Sequence, residues 1–388
     1  MSGSLERVRV AVQESGRLDG GPVRMLPAEA YTSAEILAWE RRHLFAGSWT
    51  CLGRLEELLP EDTDAKPVSQ RAVSVGDVAA LLVRDGSRLR MFANTCRHRG
   101  HELLPEGATS QRHSILCPYH AWTYDRQGAL VGAPGFRDVD GFDPADHGLV
   151  ELPVQLWEGW VFGHALHPVG DPGVPAFSVH VGELARFVTP YASGSLVLAD
   201  RHSYEVAANW KVIAENYHEC YHCPLIHPEL CQVTLPDSGD NYTLPGAWVG
   251  GAMDLRDGMA TMSMTGELAA VALPGVDPTR VEYLHLLPNL LISAHPDYVM
   301  THRLVPLEPG RTWVECSWFV APTAGSRAPG AVEFWDLTNK QDWAACESVQ
   351  RGLSSPHFRP GPFAPNEDAV AQLVETIGAA YLSGRLGA

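Results

Sequence analysis

The chain has 388 residues and is 45% hydrophobic, enough for two or three domains with their own cores. Its formal net charge is −17, and no basic face is in view to neutralise phosphate, which excludes nucleic acid as a partner. The polar N-terminus, MSGSLERVRV, lacks the apolar core of a secretory signal, and no apolar run reaches the roughly eighteen residues of a membrane span. A cytoplasmic protein is expected, so the eight cysteines point to metal binding or chemistry rather than to a disulfide framework.

Residues 33–46, SAEILAWERRHLFA, have the spacing of an amphipathic helix with Ser33 as N-cap. From 48 to about 165, short alternating runs are cut by Gly, Pro and Asp, the texture of antiparallel β structure with tight turns. Residues 166–180 are rich in Pro and Gly and read as a linker. A strand follows in SLVLADRHSYEV, and a helical segment beginning near Asn209 carries the stretch ENYHECYHCPLIHPEL, residues 215–230. Strand-like runs fill 281–320, and 332–353 read as one long helix. These bounds divide the chain into an N-terminal helical segment (1–47), a β-rich domain (48–165) and a second domain (166–388).

Two loops of the β-rich domain concentrate metal ligands. Cys96-x-His98 is followed after eighteen residues by Cys117-x-x-His120. A Cys2His2 zinc finger would begin with paired cysteines, whereas here each loop gives one thiolate and one imidazole. That division suits a Rieske [2Fe–2S] cluster, with two Cys on one iron and two His on the other; a zinc site is the alternative. Pro118 fixes the backbone of one loop, and Tyr119 and Trp122 are placed to shield the cluster from water.

On these residues, CRHRGHELLPEG and CPYHAWTYDRQGAL, the chain resembles the α subunits of Rieske non-heme iron oxygenases. The resemblance implies an α+β protein: an N-terminal antiparallel-β Rieske domain, then a helix-grip catalytic domain in which an antiparallel sheet surrounds a helix. It also implies a mononuclear Fe(II) held by two His and one carboxylate with open positions. His222 and His227 map onto the histidine ligands. On an unbroken helix, five residues would splay their side chains by roughly 140°, so Pro224 is expected to break the helix and let them converge. Glu219, where the family usually has Asp, maps onto the carboxylate that links one subunit's iron to the neighbouring subunit's cluster. Cys220 and Cys223 are expected to pack as small apolar groups, with a redox CxxC or a second zinc site as alternatives.

Helical stepping from Asp342 passes through Trp335, Thr338, Asn339, Ala345, Cys346 and Val349, a face expected to be buried. A carboxylate there is costly unless it is paired or bound to metal. Asp336 has Lys340 four residues on and reads as a surface ion pair. The run QDWAACESVQRGL also resembles the family's ligand-bearing helix, so Asp342 is the expected third ligand and Asp336 the alternative.

The catalytic half further resembles the glycine betaine and stachydrine monooxygenases, in NWKVIAENYHECYHCPLIHPEL and PNLLISAHPDYVMTHRL among other stretches. This implies hydroxylation of an N-methyl group with O2 and loss of formaldehyde. Electrons would come from NAD(P)H through a separate flavin- or ferredoxin-type reductase, and the subunits would form a homotrimer. The alternative is a Rieske oxygenase acting on an aromatic or natural-product skeleton. Trp248 and Tyr298 are the expected faces of an aromatic cage for a quaternary ammonium, and His302 the expected partner of a substrate carboxylate.

Overall fold

Short runs of alternating residues, closed by glycines in left-handed conformations, fold the N-terminal half of the chain into small antiparallel sheets. The computed structural model describes residues 3–15, 22–60, 69–323 and 326–387. Contacts divide the chain into two compact units, Glu40–Phe177 and Met1–Trp39 together with Ser178–Ala388.

In the Glu40–Phe177 unit, strands Gln70–Val75, Val78–Asp85 and Arg88–Ala93 form a meander, extended at its edges by Thr109–Ser110 and Glu151–Leu152. Gly76 closes the first hairpin at φ +61°; a Cβ there would meet the Arg41 carbonyl oxygen at 2.0 Å, so both conformation and space require glycine. A second sheet pairs Thr50–Arg54 and Val154–Trp157 on either side of Trp160–Gly163. The third, Ile115–Leu116, Thr123–Tyr124 and Leu130–Gly132, carries one ligand loop. Its strands bury Ile115 and Tyr124 in a core with Phe92, Cys96, Cys117 and Trp122.

The other unit is built on one seven-stranded antiparallel sheet. Its strands are β1 (Val197–Val206), β2 (Asp240–Asn241), β3 (Trp248–Asp254), β4 (Arg280–Leu286), β5 (Leu290–Ala294), β6 (Tyr298–Glu308) and β7 (Arg311–Val320). They lie in the order β1-β7-β6-β5-β4-β3-β2. Helices α1 (Trp210–Tyr217), α2 (Pro329–Leu353) and α3 (Asp368–Ser383) accompany it. Ala331, Phe334 and Trp335 of α2 share a core with Met300, Cys316 and Trp318 of the sheet. This is the expected α+β arrangement, an antiparallel sheet against a long helix.

The expected helix at 33–46 is regular over Ala34–Glu40 and widens into a π turn over Arg41–Phe45. The helical segment from Asn209 differs more. Asn209 caps α1 by accepting from the Lys211 backbone N–H, but α1 ends at Tyr217. A new turn, Cys223–Ile226, starts with Pro224 in its first turn. Pro224 therefore opens a helix, where its missing N–H costs nothing, rather than breaking one. Glu219 and His222 lie in the irregular link between the two turns.

The N-terminal segment is pinned to α1 by the Tyr31 hydroxyl, which donates to Glu215 Oε1 at 2.7 Å. Burial pushes the Glu215 carboxyl up to about 7, against the opposing pull of the Tyr31 hydroxyl and the Lys211 charge. A pKa raised on folding means that stability is present below the unfolded value and falls as pH rises through about 7. Tyr31→Phe removes a donor that favours the ionised carboxylate. It should cost about 1–3 kcal/mol at alkaline pH, where Glu215 is charged, and markedly less in mild acid; urea midpoints at the two pH values check this, and an equal loss at both would refute it.

Candidate metal centres and active-site cavity

Two tight turns bring the four candidate ligands of the β-rich unit together. On the first, the Cys96 backbone N–H donates to the His101 carbonyl at 2.8 Å and Gly100 N–H to the Cys96 carbonyl at 3.0 Å. On the second, Cys117 N–H donates to the Trp122 carbonyl at 2.8 Å and Ala121 N–H to the Cys117 carbonyl at 3.1 Å. Both thiols are buried, and Tyr124 OH lies 3.3 Å from Cys96 Sγ. The His98 and His120 rings stand 4.8 Å apart, and His98 stacks on Trp122 at 4.9 Å. Burial, then the charges of His98, Arg99 and His101, push the His120 pKa down, keeping the ring neutral as a ligand must be. His120 Nδ1 is buried without a hydrogen-bond partner. Two buried thiols, two converging imidazoles and an orphaned ring nitrogen fit a Rieske cluster. Trp122 is buried as expected, but Tyr119 is 52% exposed; it leans over His120 without sealing the site.

The second centre joins the link after α1 to the middle of α2. His227 Nε2 lies 2.8 Å from Asp342 Oδ1 and 3.1 Å from His222 Nε2, and His222 Nε2 lies 3.3 Å from the same carboxylate oxygen. These three residues offer donor atoms that all lie within 4.8 Å of one another. Two imidazoles and one carboxylate are the donor set of a facial triad. The rings are held from behind. Glu219 Oε1 contacts His222 Nδ1, and its Oε2 accepts from the His222 backbone N–H at 3.1 Å. Gln341 Oε1 lies 2.7 Å from His227 Nδ1. Burial opposes a charged His222, yet Asp342 and Glu219 outweigh it and hold its pKa at about 9. Burial likewise works against the Asp342 carboxylate, but its hydrogen bonds to His222 and His227 keep its pKa below the usual value.

Asp336 lies elsewhere. It takes Lys340 Nζ at 2.5 Å and the Tyr204 hydroxyl at 2.8 Å, with His202 Nδ1 at 3.3 Å, so it anchors α2 to β1 more firmly than a surface pair would. Two further expectations for this segment need correcting. Cys220 and Cys223 do not pack as separate thiols; a disulfide joins them, with Cα atoms 4.9 Å apart. Val349 is exposed, so the buried stripe of α2 runs through Cys346 to Gln350 instead.

A cavity of about 240 Å3 opens beside His222, His227 and Asp342. Tyr217, Tyr283, Trp335 and Trp343 line it, with His302 from β6. Three of these aromatics have their polar ends tied to protein: Tyr217 OH to Ile292 O at 2.9 Å, Tyr283 OH to Met262 Sδ at 2.9 Å, and Trp335 Nε1 to Tyr298 OH at 2.7 Å. Trp343 Nε1 is buried without a partner. Glu219, Asp237, Asp240, Asp342 and Asp368 are acidic lining groups, and no Lys or Arg is among the described lining residues.

Trp248 and Tyr298 do not line this cavity. Trp248 donates to Pro245 O at 3.0 Å and packs against Phe187. Tyr298 is buried one layer behind the wall, its hydroxyl on Met262 O at 2.6 Å. His302 does line the cavity, but burial drives its pKa down to about 4 and its Nε2 faces Asn339 Oδ1 at 3.0 Å. A neutral, engaged ring is no cationic partner for a substrate carboxylate. The missed aromatics carry a signal in retrospect: Trp335 and Trp343 flank Asp342 at −7 and +1, and Tyr217 ends the helix before the histidines.

Comparison with known proteins agrees with this geometry. The Rieske [2Fe–2S] domain family matches residues 48–143, and the catalytic domain of the ring-hydroxylating α subunits matches residues 194–383. The oxygenase subunit of carnitine monooxygenase from Escherichia coli strain K12 is 33% identical, over 86% of this chain and 85% of its own. The oxygenase subunit of glycine betaine monooxygenase from Chromohalobacter salexigens is 29% identical, over 87% and 81%. A crystal structure of a quaternary ammonium Rieske monooxygenase with L-carnitine superposes with a TM-score of 0.73 at 25% identity, over 94% of this chain and 97% of that one. Naphthalene 1,2-dioxygenase from Rhodococcus shares the fold, with a TM-score of 0.74 at 18% identity. The chain belongs to the Rieske oxygenase α subunits. It is the oxygenase component of a multicomponent monooxygenase, which uses a [2Fe–2S] cluster, a mononuclear iron, O2 and electrons supplied by a reductase. No helix among the described residues is long and apolar enough to cross a membrane.

The two aspartates of α2 separate cleanly in a metal assay. Asp342→Ala should reduce the iron content from about three to about two per chain while leaving about two acid-labile sulfides, because a three-ligand site has no spare donor. Asp336→Ala should keep all the iron and cost about 1 kcal/mol through the stranded Tyr204 hydroxyl. The reverse pattern would move the ligand to Asp336.

Proposed function

We propose that this chain hydroxylates an N-methyl group of a quaternary ammonium compound. His222, His227 and Asp342 would hold the mononuclear iron, and Cys96, His98, Cys117 and His120 the cluster. The observation that carries the reading is the cavity wall. Tyr217 and Tyr283 meet edge to face at 5.8 Å, Tyr283 and Trp335 at 6.5 Å, and His302 and Trp343 at 6.0 Å. Ring faces of this kind attract a cation that cannot donate hydrogen bonds, at about 0.5–2 kcal/mol each. The carnitine and glycine betaine relatives support the same substrate class.

The iron, when bound, would activate O2 so that one oxygen atom enters a C–H bond and the other leaves as water, consuming two electrons and two protons. The N-hydroxymethyl product would then lose formaldehyde and a proton, leaving the amine with one methyl fewer. This chain's residues would place that methyl at the triad and keep the ammonium against the rings. The carboxylate of a betaine would need a donor, and no Lys or Arg is among the described lining residues to provide it. Glu219, fixed on His222, is the proposed link by which electrons arrive. Inter-subunit electron transfer is a property of one structurally similar quaternary ammonium Rieske monooxygenase. A homotrimer in which each iron is served by a neighbour's cluster is the corresponding proposal here.

In a system reconstituted with a reductase, glycine betaine, carnitine or choline should drive NAD(P)H oxidation coupled to formaldehyde. Coupling to a neutral aromatic, with none to any quaternary amine, would replace this reading with aromatic hydroxylation and leave the metal assignments intact. Trp343→Ala removes one ring face and should raise KM for a quaternary ammonium by about 2- to 30-fold, the equivalent of one lost cation–ring contact.

A further inference from the structure

We infer that Glu229 and Gln341 act as a relay that selects the metal-binding tautomer of His227. The inference rests on the proposed iron site, and its test is separate from the test of that site. A neutral imidazole carries one proton on either ring nitrogen. His227 points Nε2 at Asp342 Oδ1 and His222, and Nδ1 at Gln341 Oε1. With the proton on Nε2, the ring would donate to Asp342 and could not offer a lone pair to a metal. With the proton on Nδ1, Nε2 is free to bind. The Asp342 carboxylate, 2.8 Å away, pulls the proton to the wrong nitrogen. Something must oppose it from behind, and Gln341 Oε1, an acceptor at 2.7 Å, does so.

An amide alone is ambiguous, because turned over it would present its NH2 to Nδ1 and reward the wrong tautomer. Glu229 removes the ambiguity. Its Oε2 lies 3.4 Å from Gln341 Nε2, so turning the amide would set its oxygen against a carboxylate. His222 needs no such relay, since the carboxylate of Glu219 can only accept from its Nδ1. The two imidazoles are thus each given an acceptor at Nδ1, by different routes. One is backed directly by a carboxylate; the other is backed by an amide whose sense a second carboxylate sets. Second partners of this kind are worth about 10- to 100-fold in metal affinity.

The test uses the full chain with its cluster intact and the mononuclear iron removed anaerobically. Fe(II) affinity is measured by competition with a chelator, and the His227 tautomer by ring ¹⁵N chemical shifts in the metal-free protein. Circular dichroism and the cluster absorbance verify that each variant is folded. Gln341→Leu should weaken Fe(II) binding about 10- to 100-fold, and Glu229→Gln by about 10-fold, each with a shift of the proton toward Nε2. The exchanged pair, Glu229→Gln with Gln341→Glu, places a carboxylate directly on Nδ1. It should restore the Nδ1–H tautomer and return the affinity to within roughly threefold of the starting protein. A Glu229→Gln variant that binds Fe(II) as before with its tautomer unmoved would overturn the relay. So would an exchanged pair that folds but stays as weak as the single variants, which would assign these residues to packing alone.

Discussion

The structure of the catalytic unit turns on holding one partly buried carboxylate, Asp342, against two histidines more than 110 residues away in the chain. Such a carboxylate is tolerable only if its partners are fixed in place. The register of α2 against the 209–227 segment provides that. Asp342, Cys346 and Gln350 fall at successive four-residue steps on one face of α2. Gln350 Oε1 accepts from the Asn209 backbone N–H at 2.9 Å, and Cys346 Sγ faces the Val212 carbonyl at 3.9 Å. Asp342 completes the stripe at His222 and His227. Asn209 also donates from its side chain to Tyr31 O and Pro309 O, at 3.1 and 2.7 Å, while capping α1. One residue thereby ties the N-terminal segment, the β6–β7 turn and α1 to the same point. The ligand geometry at one end of the stripe depends on hydrogen bonds made at the other.

Candidate metal ligands were legible in the sequence where chemistry demands them at fixed local spacing. Cys96-x-His98 and Cys117-x-x-His120 each occupy a single turn, and a turn carries its own geometry. Asp342 was legible through helical periodicity, because a carboxylate on a stripe beside Trp335, Thr338 and Cys346 needs a reason to be there. The backbone between His218 and His222 was less so. Pro224 signals a discontinuity, but whether it ends one helix or begins another depends on which neighbours satisfy the free N–H groups. Here Glu219 takes the His222 N–H.

The cavity was the part sequence could not supply. Aromatic composition says that a cage can be built, not which rings face inward. Tyr298 illustrates the difficulty: its hydroxyl holds Trp335 Nε1, so it orients a wall residue without being one. His302 shows a different failure, since its position was right but its charge was not. Burial removes the proton that a carboxylate partner would need. Gln341 was passed over because an amide beside a ligand looks neutral in a sequence. Its role comes from Glu229, which is distant in the chain and adjacent only in the fold.

Charge balance would let the proposed iron site accept the proposed cationic substrate beside it. A divalent ion held by two neutral imidazoles would repel an ammonium only a few ångströms away, and the ion's own charge belongs in that account. Asp342 contributes one negative charge directly, and Glu219 contributes another through His222. Together they would offset the two positive charges of a bound Fe(II). Their combined pull is visible at His222, whose pKa they raise to about 9 against burial. Glu229 is kept one amide further back, where it orients Gln341 rather than binding the ring itself. Asp237, Asp240 and Asp368 add negative charge around the cavity, and in the proposed function the rings would favour the diffuse, poorly hydrated charge of a quaternary ammonium over the compact charge of a primary amine.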